Sequence, residues 1–144
     1  MAVINRSALV MFSAEQMYGL VNDVASYPQF LPGCVDSQIQ SQGEGTMVAS
    51  VMVAKGGISK TFTTRNELEP ARAIRMALVD GPFRSLVGEW RFTPLDEQAC
   101  KVELALDFEF SSTLVELAFG RIFKELVSTM VSAFTQRARE VYGE

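Results

Sequence analysis

Residues 111–143 read SSTLVELAFGRIFKELVSTMVSAFTQRAREVYG. No proline interrupts them. At helical spacing Val115, Phe119, Ile122, Phe123, Leu126, Met130, Ala133, Phe134 and Val141 fall on one side. Arg121, Lys124, Glu125, Ser128, Ser132, Thr135, Gln136 and Arg139 fall on the other. A helix of about 30 residues is roughly 45 Å long, the span of a small domain. Its apolar side covers roughly half the circumference, wider than a flat one-sided contact requires. The rest of the chain must cover that side. Thr113 and Glu116 have capping-box spacing, which predicts the helix start and accounts for an acid on the apolar side. Arg137 also lies there. It either snorkels past the apolar surface to solvent or makes a polar contact at one end of a cavity.

Working outward, the preceding stretch predicts a strand. Val102, Leu104, Leu106, Phe108 and Phe110 alternate with Lys101, Glu103, Ala105, Asp107 and Glu109. Upstream, Trp90 and Phe92 share a face opposite Glu89 and Arg91, while Arg84 to Trp90 suits either a helical turn or a strand. Pro94 to Gln98 is expected to turn, and Asp80 to Phe83 to break the ladder. Ile74, Met76 and Leu78 point one way within 72–79 and Arg75 the other. In 58–68, Ile58, Phe62, Thr64, Asn66 and Leu68 share one face, and Ser59, Thr61, Thr63, Arg65 and Glu67 the other. Gly56-Gly57 signals a hairpin to the strand at 46–54. Gly43 and Gly45 mark a turn back to the strand that starts at Cys34.

The N-terminal part holds strand 2–11 and a short helix. Ser13 and Gln16 predict a capping box, with Phe12 and Met17 as a hydrophobic staple. Met17, Leu20, Val21 and Val24 form the buried face. The helix is expected to end near Ser26, because Pro28 disfavours a helical Tyr27. Tyr27-Pro28-Gln29-Phe30-Leu31-Pro32-Gly33-Cys34 then reads as a helical turn and a loop bent back on the core, either as a plug closing one end or as the lid or mouth of a cavity. Strands joined by short turns imply an antiparallel meander with one apolar face. A strongly curved sheet wrapped round the long helix fits the width of its apolar side, and such a pair leaves room for a cavity.

Composition narrows the function. The 144 residues suit one domain, 1–144, and are 48% hydrophobic and 21% charged. Thirteen basic and 17 acidic residues give a net charge of −4, which argues against DNA wrapped by phosphate neutralisation. Histidine is absent, which excludes imidazole-based triads and His-containing zinc sites. Cys34 and Cys100 have no metal or redox spacing and suit a reducing compartment. No apolar run approaches ~18 residues. The expected location is the cytoplasm, at most peripheral to the inner membrane.

Phe62, Met76, Trp90, Phe92, Phe108, Phe119, Phe123 and Met130 would line an apolar cavity if one exists, or fill a solid core if not. Thr64 and Asn66 are the inward polar residues; they either meet a ligand or satisfy the backbone. Most carboxylates lie on the outward face or in turns, and no nucleophile–base pair, phosphate loop or metal cluster stands out. Lys55 and Lys60 flank the hairpin as a small basic tip, a weak signal for RNA.

Ser13-Ala14-Glu15-Gln16-Met17-Tyr18, then Asp23 to Pro32, carry a resemblance. So do Gly81-Pro82-Phe83, Gly88-Glu89-Trp90-Arg91-Phe92 and Phe108-Glu109-Phe110. The chain resembles the START-like proteins of the polyketide cyclase/dehydrase group, most closely the coenzyme Q-binding proteins and the bacterial ribosome association toxin (RatA/PasT) family. This implies an α+β helix-grip (START/Bet v 1-like) fold, with about six to seven curved antiparallel strands around the C-terminal helix. It implies an apolar tunnel lined by the residues above together with Tyr27, Phe30, Leu31, Phe83 and Arg137. Thr64 and Asn66 would then face a quinone carbonyl. It also implies a bound ubiquinone without a required cofactor, a role in respiration, and binding to the large ribosomal subunit that blocks subunit association. Transient membrane contact would follow from a lipid ligand. The alternative is a cyclase- or dehydrase-like enzyme acting on a small aromatic or polyketide substrate.

Overall fold

The computed structural model describes residues 2–143; Met1 and Glu144, the ends of the expected domain, lie outside the described residues. The elements run β1 (Ala2–Val10), α1 (Ala14–Asn22), a 3-10 helix (Val24–Gln29), β2 (Cys34–Gly43) and β3 (Thr46–Lys55). They continue as β4 (Ile58–Glu69), β5 (Ala73–Asp80), β6 (Phe83–Asp96), β7 (Ala99–Phe110) and α2 (Thr113–Tyr142). The seven strands form one sheet in the order β1-β7-β6-β5-β4-β3-β2, every neighbouring pair antiparallel. This is the helix-grip arrangement, with α2 lying in the concave face of the sheet.

Local chemistry explains most of the elements. Gly56 and Gly57 have φ of 58° and 85°, so a two-residue turn of the primed type joins β3 to β4. The Ser13 hydroxyl accepts from Gln16 N (3.1 Å) and Gln16 Oε1 accepts from Ser13 N (3.0 Å), completing the expected capping box. On β7 every expected inward residue, Val102, Leu104, Leu106, Phe108 and Phe110, is buried. Register shifts put an extra residue into β2, β5 and β6, and such bulges bend strands and raise their twist. Gly88 of β6 sits where neighbouring side chains leave no room for a Cβ. A Cβ there would collide with Leu106 Cδ1 and come within 3.0 Å of Met76 Cε.

Several boundaries differ from the sequence reading. Residues 84–90 are strand, and β6 runs through Pro94 to Asp96. The proline is tolerated because β6 pairs with β5 only as far as Arg91, so the missing N–H breaks no ladder on that side. α1 stops at Asn22, before Ser26, and Pro28 lies inside the 3-10 helix. There the Tyr27 ring turns inward onto Phe134 (5.4 Å between centroids) and its hydroxyl donates to Val21 O, which holds the chain in the tighter coil.

The start of α2 also differs. Its N-cap is Ser112, whose hydroxyl accepts from Val115 N at 3.1 Å. Glu116 is one residue too late for a capping box and instead contributes charge to the first turn, where the helix dipole favours an acid. The buried side of α2 includes Gly120, Val127, Val131 and Ala138, which the sequence reading did not place there. Val141, expected on the buried side, is 48% exposed near the helix end. Thr63 points to the convex face as expected, yet is buried, and its hydroxyl is satisfied there by that of Ser50, 2.7 Å away across the strand pair.

Candidate ligand cavity

Between α2 and the concave sheet lies a cavity of about 70 Å³. The wall is built from five strands and two helical segments. β3 contributes Ala49 and Val51, β4 Phe62, Thr64 and Asn66, and β5 Met76. β6 adds Leu86 and Trp90, and β7 adds Leu104 and Leu106. α2 closes the opposite side with Phe123, Leu126, Val127 and Met130, and Val24, Tyr27 and Leu31 cover the end. No charged side chain is on this wall. Its volume is several times below that of a drug-sized site, which is roughly 300–1,000 Å³. In this conformation it holds a few atoms. A larger ligand requires the Tyr27–Leu31 cover and the flexible Met76 and Met130 to yield.

The structure divides the expected site residues into two groups. Tyr27, Leu31, Phe62, Thr64, Asn66, Met76, Trp90, Phe123 and Met130 are brought together on the wall. Phe30, Phe83, Phe92, Phe108, Phe119 and Arg137 are not on it. Phe83 and Phe108 pack against Phe123 at 4.7 and 5.0 Å, and Phe119 lies at 5.9 Å, so with Phe110 they fill the space under the first half of α2. Phe92 stacks flat beside Trp90, 6.3 Å away, and meets Tyr18 edge-on. The interior is thus a solid aromatic cluster at one end and a small cavity at the other.

Arg137 takes neither of the positions considered for it. Its guanidinium lies 5.0 Å from the centre of the Phe30 ring, outside the cavity. Nη2 donates to Gln29 Oε1 (3.1 Å), and Glu140 pairs with it at 3.7 Å. Phe30 in turn packs on Phe134 at 5.2 Å. Arg137 therefore clamps the outer side of the 3-10 segment onto α2, through a cation–π contact and a hydrogen bond.

Polar chemistry inside the cavity is confined to β4. Thr64 and Asn66 are 7% and 6% exposed, and Thr64 Oγ1 donates to Asn66 Oδ1 at 2.8 Å. That bond uses one end of the Asn66 amide. No hydrogen bond of the Nδ2 end is found among the described residues, and Asn66 lines the wall. Tyr27 supplies only its ring, because its hydroxyl is committed to Val21 O. Burial pushes the Tyr27 phenol well above its usual range, with Cys34 and Asp23 adding to the effect. Burial also pushes the Cys34 thiol up to about 11, and raises Cys100. Both thiols are free, and no cluster of metal-ligating side chains occurs among the described residues.

Sequence reasoning missed Val24, Ala49, Val51, Leu86, Leu104, Leu106, Leu126 and Val127. The alternation of β7 already pointed Leu104 and Leu106 inward, and the helical period did the same for Leu126. Nothing in the pattern separated a cavity wall from a filled core.

Comparison with known proteins places this geometry in a family. The family model described as polyketide cyclase / dehydrase and lipid transport matches residues 10–135. The ribosome association toxin RatA of Vibrio cholerae is 67% identical over 144 residues, covering 100% of both chains. The mitochondrial coenzyme Q-binding protein COQ10 homolog B of Xenopus laevis is 32% identical over 143 residues, 96% of this chain and 59% of that one. Among solved structures, the Zhui aromatase/cyclase from Streptomyces sp. R1128 superposes with a TM-score of 0.85 at 22% identity, covering 97% of this chain and 95% of that one. A START superfamily protein from Mycobacterium smegmatis does so with a TM-score of 0.79 at 21% identity, covering 96% and 98%. At such identities the two structures speak for the fold alone. The residues matched and the identity over the full length show that the chain belongs to the polyketide cyclase/dehydrase and lipid-transport family, in its ribosome association toxin branch.

Proposed function

We propose that this protein is a non-catalytic carrier of a neutral isoprenoid quinone, ubiquinone, held between α2 and the concave sheet in support of respiration. The observation that carries this reading is the Thr64–Asn66 pair, buried on an otherwise apolar and uncharged wall. An amide donor at that place suits a carbonyl oxygen, and the apolar surroundings suit a ring and the start of an isoprenoid tail. The likeness to a coenzyme Q-binding protein supports the choice of ligand. The cavity offers no acid or base. Its one titratable side chain, Tyr27, is hydrogen-bonded to the backbone and held protonated by burial, which argues against cyclase or dehydrase chemistry. The test is organic extraction of the purified protein followed by mass spectrometry. Retained ubiquinone in sub-stoichiometric to stoichiometric amount is expected; a protein free of any isoprenoid quinone would overturn the reading.

A second activity is favoured by the 67% identity to a protein named for ribosome association. In this reading the protein works in the cytoplasm and binds the large ribosomal subunit, blocking subunit joining. Sedimentation of ribosomal particles with added protein tests it. Co-migration with the large subunit and a fall in joined ribosomes are expected; no co-migration at low salt would refute it.

A further inference from the structure

The first turns of α2 carry two exposed leucines. Leu114 and Leu117 are 75% and 80% exposed. Arg121, Lys124 and Ser128 continue the same line along the helix. With about 100° per residue, these five positions fall within an arc of roughly 80°. Phe123, Leu126, Val127 and Met130, the cavity wall, lie on the other side of the helix. Arg6 of β1 extends the stripe. Its Nη2 donates to Ser128 Oγ at 3.2 Å, and its Nη1 to Asn5 O at 2.9 Å.

None of Arg6, Arg121 and Lys124 is in an ion pair among the described residues. On the sheet Arg75, Arg84, Arg91 and Lys101 are each paired with a glutamate, while Lys60 and Arg65 of β4 make no ion pair among the described residues. Two acids flank the stripe and share its surface depression with Leu117, Arg121, Lys124 and Ser128: Glu125, which pairs with Lys55 at 3.2 Å, and Glu116, about 80° round the helix from Lys124. The result is two exposed leucines in line with three cations that make no ion pair among the described residues, on a protein of net charge −4.

We propose that this stripe is a docking surface for an anionic phospholipid bilayer, with Leu114 and Leu117 entering the headgroup boundary and Arg6, Arg121 and Lys124 meeting lipid phosphates. The combination is that of a helix lying in a membrane interface, where apolar insertion and attraction to anionic lipid add. An RNA surface would use the cations but leaves the leucines unexplained. Three cations are also few for binding by phosphate neutralisation. Docking here places the outer side of α2 on the bilayer while its inner side faces the cavity, so one helix connects lipid and ligand site.

The test is flotation of the full chain, without added quinone, on vesicles of phosphatidylcholine alone and of phosphatidylcholine mixed with phosphatidylglycerol. Binding to the mixed vesicles, weakened by salt, is expected, with little on phosphatidylcholine. Leu114→Ser with Leu117→Ser, and separately Arg121→Gln with Lys124→Gln, should each reduce it at least ~10-fold. All four residues lie outside the core, and a circular-dichroism melt checks that the variants fold. Undiminished vesicle binding by either double variant overturns the proposal. So does absence of binding by the wild type, whether the leucine variant then abolishes a dimer seen in light scattering or the charge variant abolishes co-sedimentation with the large ribosomal subunit. Quinone retention is read separately, so failure here leaves the ligand reading standing, and the reverse.

Discussion

Asn66 offers the most direct test of the cavity. Replacing Asn66 with Leu keeps a side chain of similar reach at a position 6% exposed, but removes the amide. The Thr64 hydroxyl then loses the acceptor it meets at 2.8 Å, and a buried unpaired hydroxyl costs about 1–3 kcal/mol. A ligand carbonyl that had paired with Asn66 Nδ2 would be buried unpaired at similar cost, which is about 5- to 150-fold in affinity. Stability and binding are separated by the double variant Thr64→Val, Asn66→Leu. Removing both partners restores much of the stability, while the ligand contact stays lost. The assay uses the protein's own reporter. Trp90 is the one tryptophan of the chain, is 1% exposed and lies on the cavity wall. A short-tailed ubiquinone analogue should quench its emission on titration. The wild type should saturate, and both variants should bind at least ~5-fold more weakly. Equal affinity in wild type and double variant would refute the role of Asn66. An unquenched Trp90 in the wild type would refute occupancy of the cavity.

Ser112→Ala should lower stability by about 1 kcal/mol in a denaturant titration, and Thr113→Ala by distinctly less, because the hydroxyl that receives Val115 N–H belongs to Ser112. Arg137→Ala removes a cation–π contact of about 0.5–1 kcal/mol and a peripheral ion pair of about 0–1 kcal/mol. With that clamp gone, stopped-flow quenching of Trp90 should show faster entry and exit of the analogue, with a small loss of melting temperature. Burial raises the Cys34 thiol from 9.0 to about 11, so at pH 8 its thiolate fraction is about 100-fold lower than that of an unperturbed thiol. Alkylation of the folded protein, followed by mass spectrometry, should be correspondingly slow at pH 8, should rise about tenfold per pH unit until about pH 11, and should accelerate on unfolding.

Much of the architecture was legible because its signals are local and repeated. Five inward residues of β7 alternate without an exception, and the Gly56-Gly57 turn has a single low-cost solution. Ser13 and Gln16 cap α1 within four residues of chain. The errors sit where two local solutions compete. Ser112 and Thr113 both suit an N-cap, and the backbone at Ser112, extended with φ −159°, decides between them. The first helix was expected to reach Ser26 and a helical turn to follow from Tyr27, whereas α1 stops at Asn22 and the inward Tyr27 holds Val24–Gln29 in one 3-10 coil. Pro94 was read as a turn, and the absence of a β5 partner beyond Arg91 lets it stay in a strand.

The candidate site was less legible, for a different reason. Periodicity assigns Phe62, Phe83, Phe108, Phe119 and Phe123 to one interior and says nothing of how that interior is divided. The division follows from the path of α2 across the curved sheet. Under the first half of α2, Phe83 of β6 and Phe108 of β7 meet Phe123 at 4.7 and 5.0 Å and fill the space. Farther along, Met130, Leu126 and Val127 face the smaller Ala49, Val51, Thr64 and Asn66, and a cavity remains. Arg137 shows the same limit. Its position on the apolar side of α2 was plain in the sequence, but Phe30, 107 residues earlier, gives it a partner outside the cavity. By itself the sequence determined a long helix gripped by an antiparallel sheet, an interior without histidine, and an inward Thr64 and Asn66. Only the tertiary structure decided which side chains bound empty space, because that depends on distances between segments remote in the chain, which no local pattern encodes.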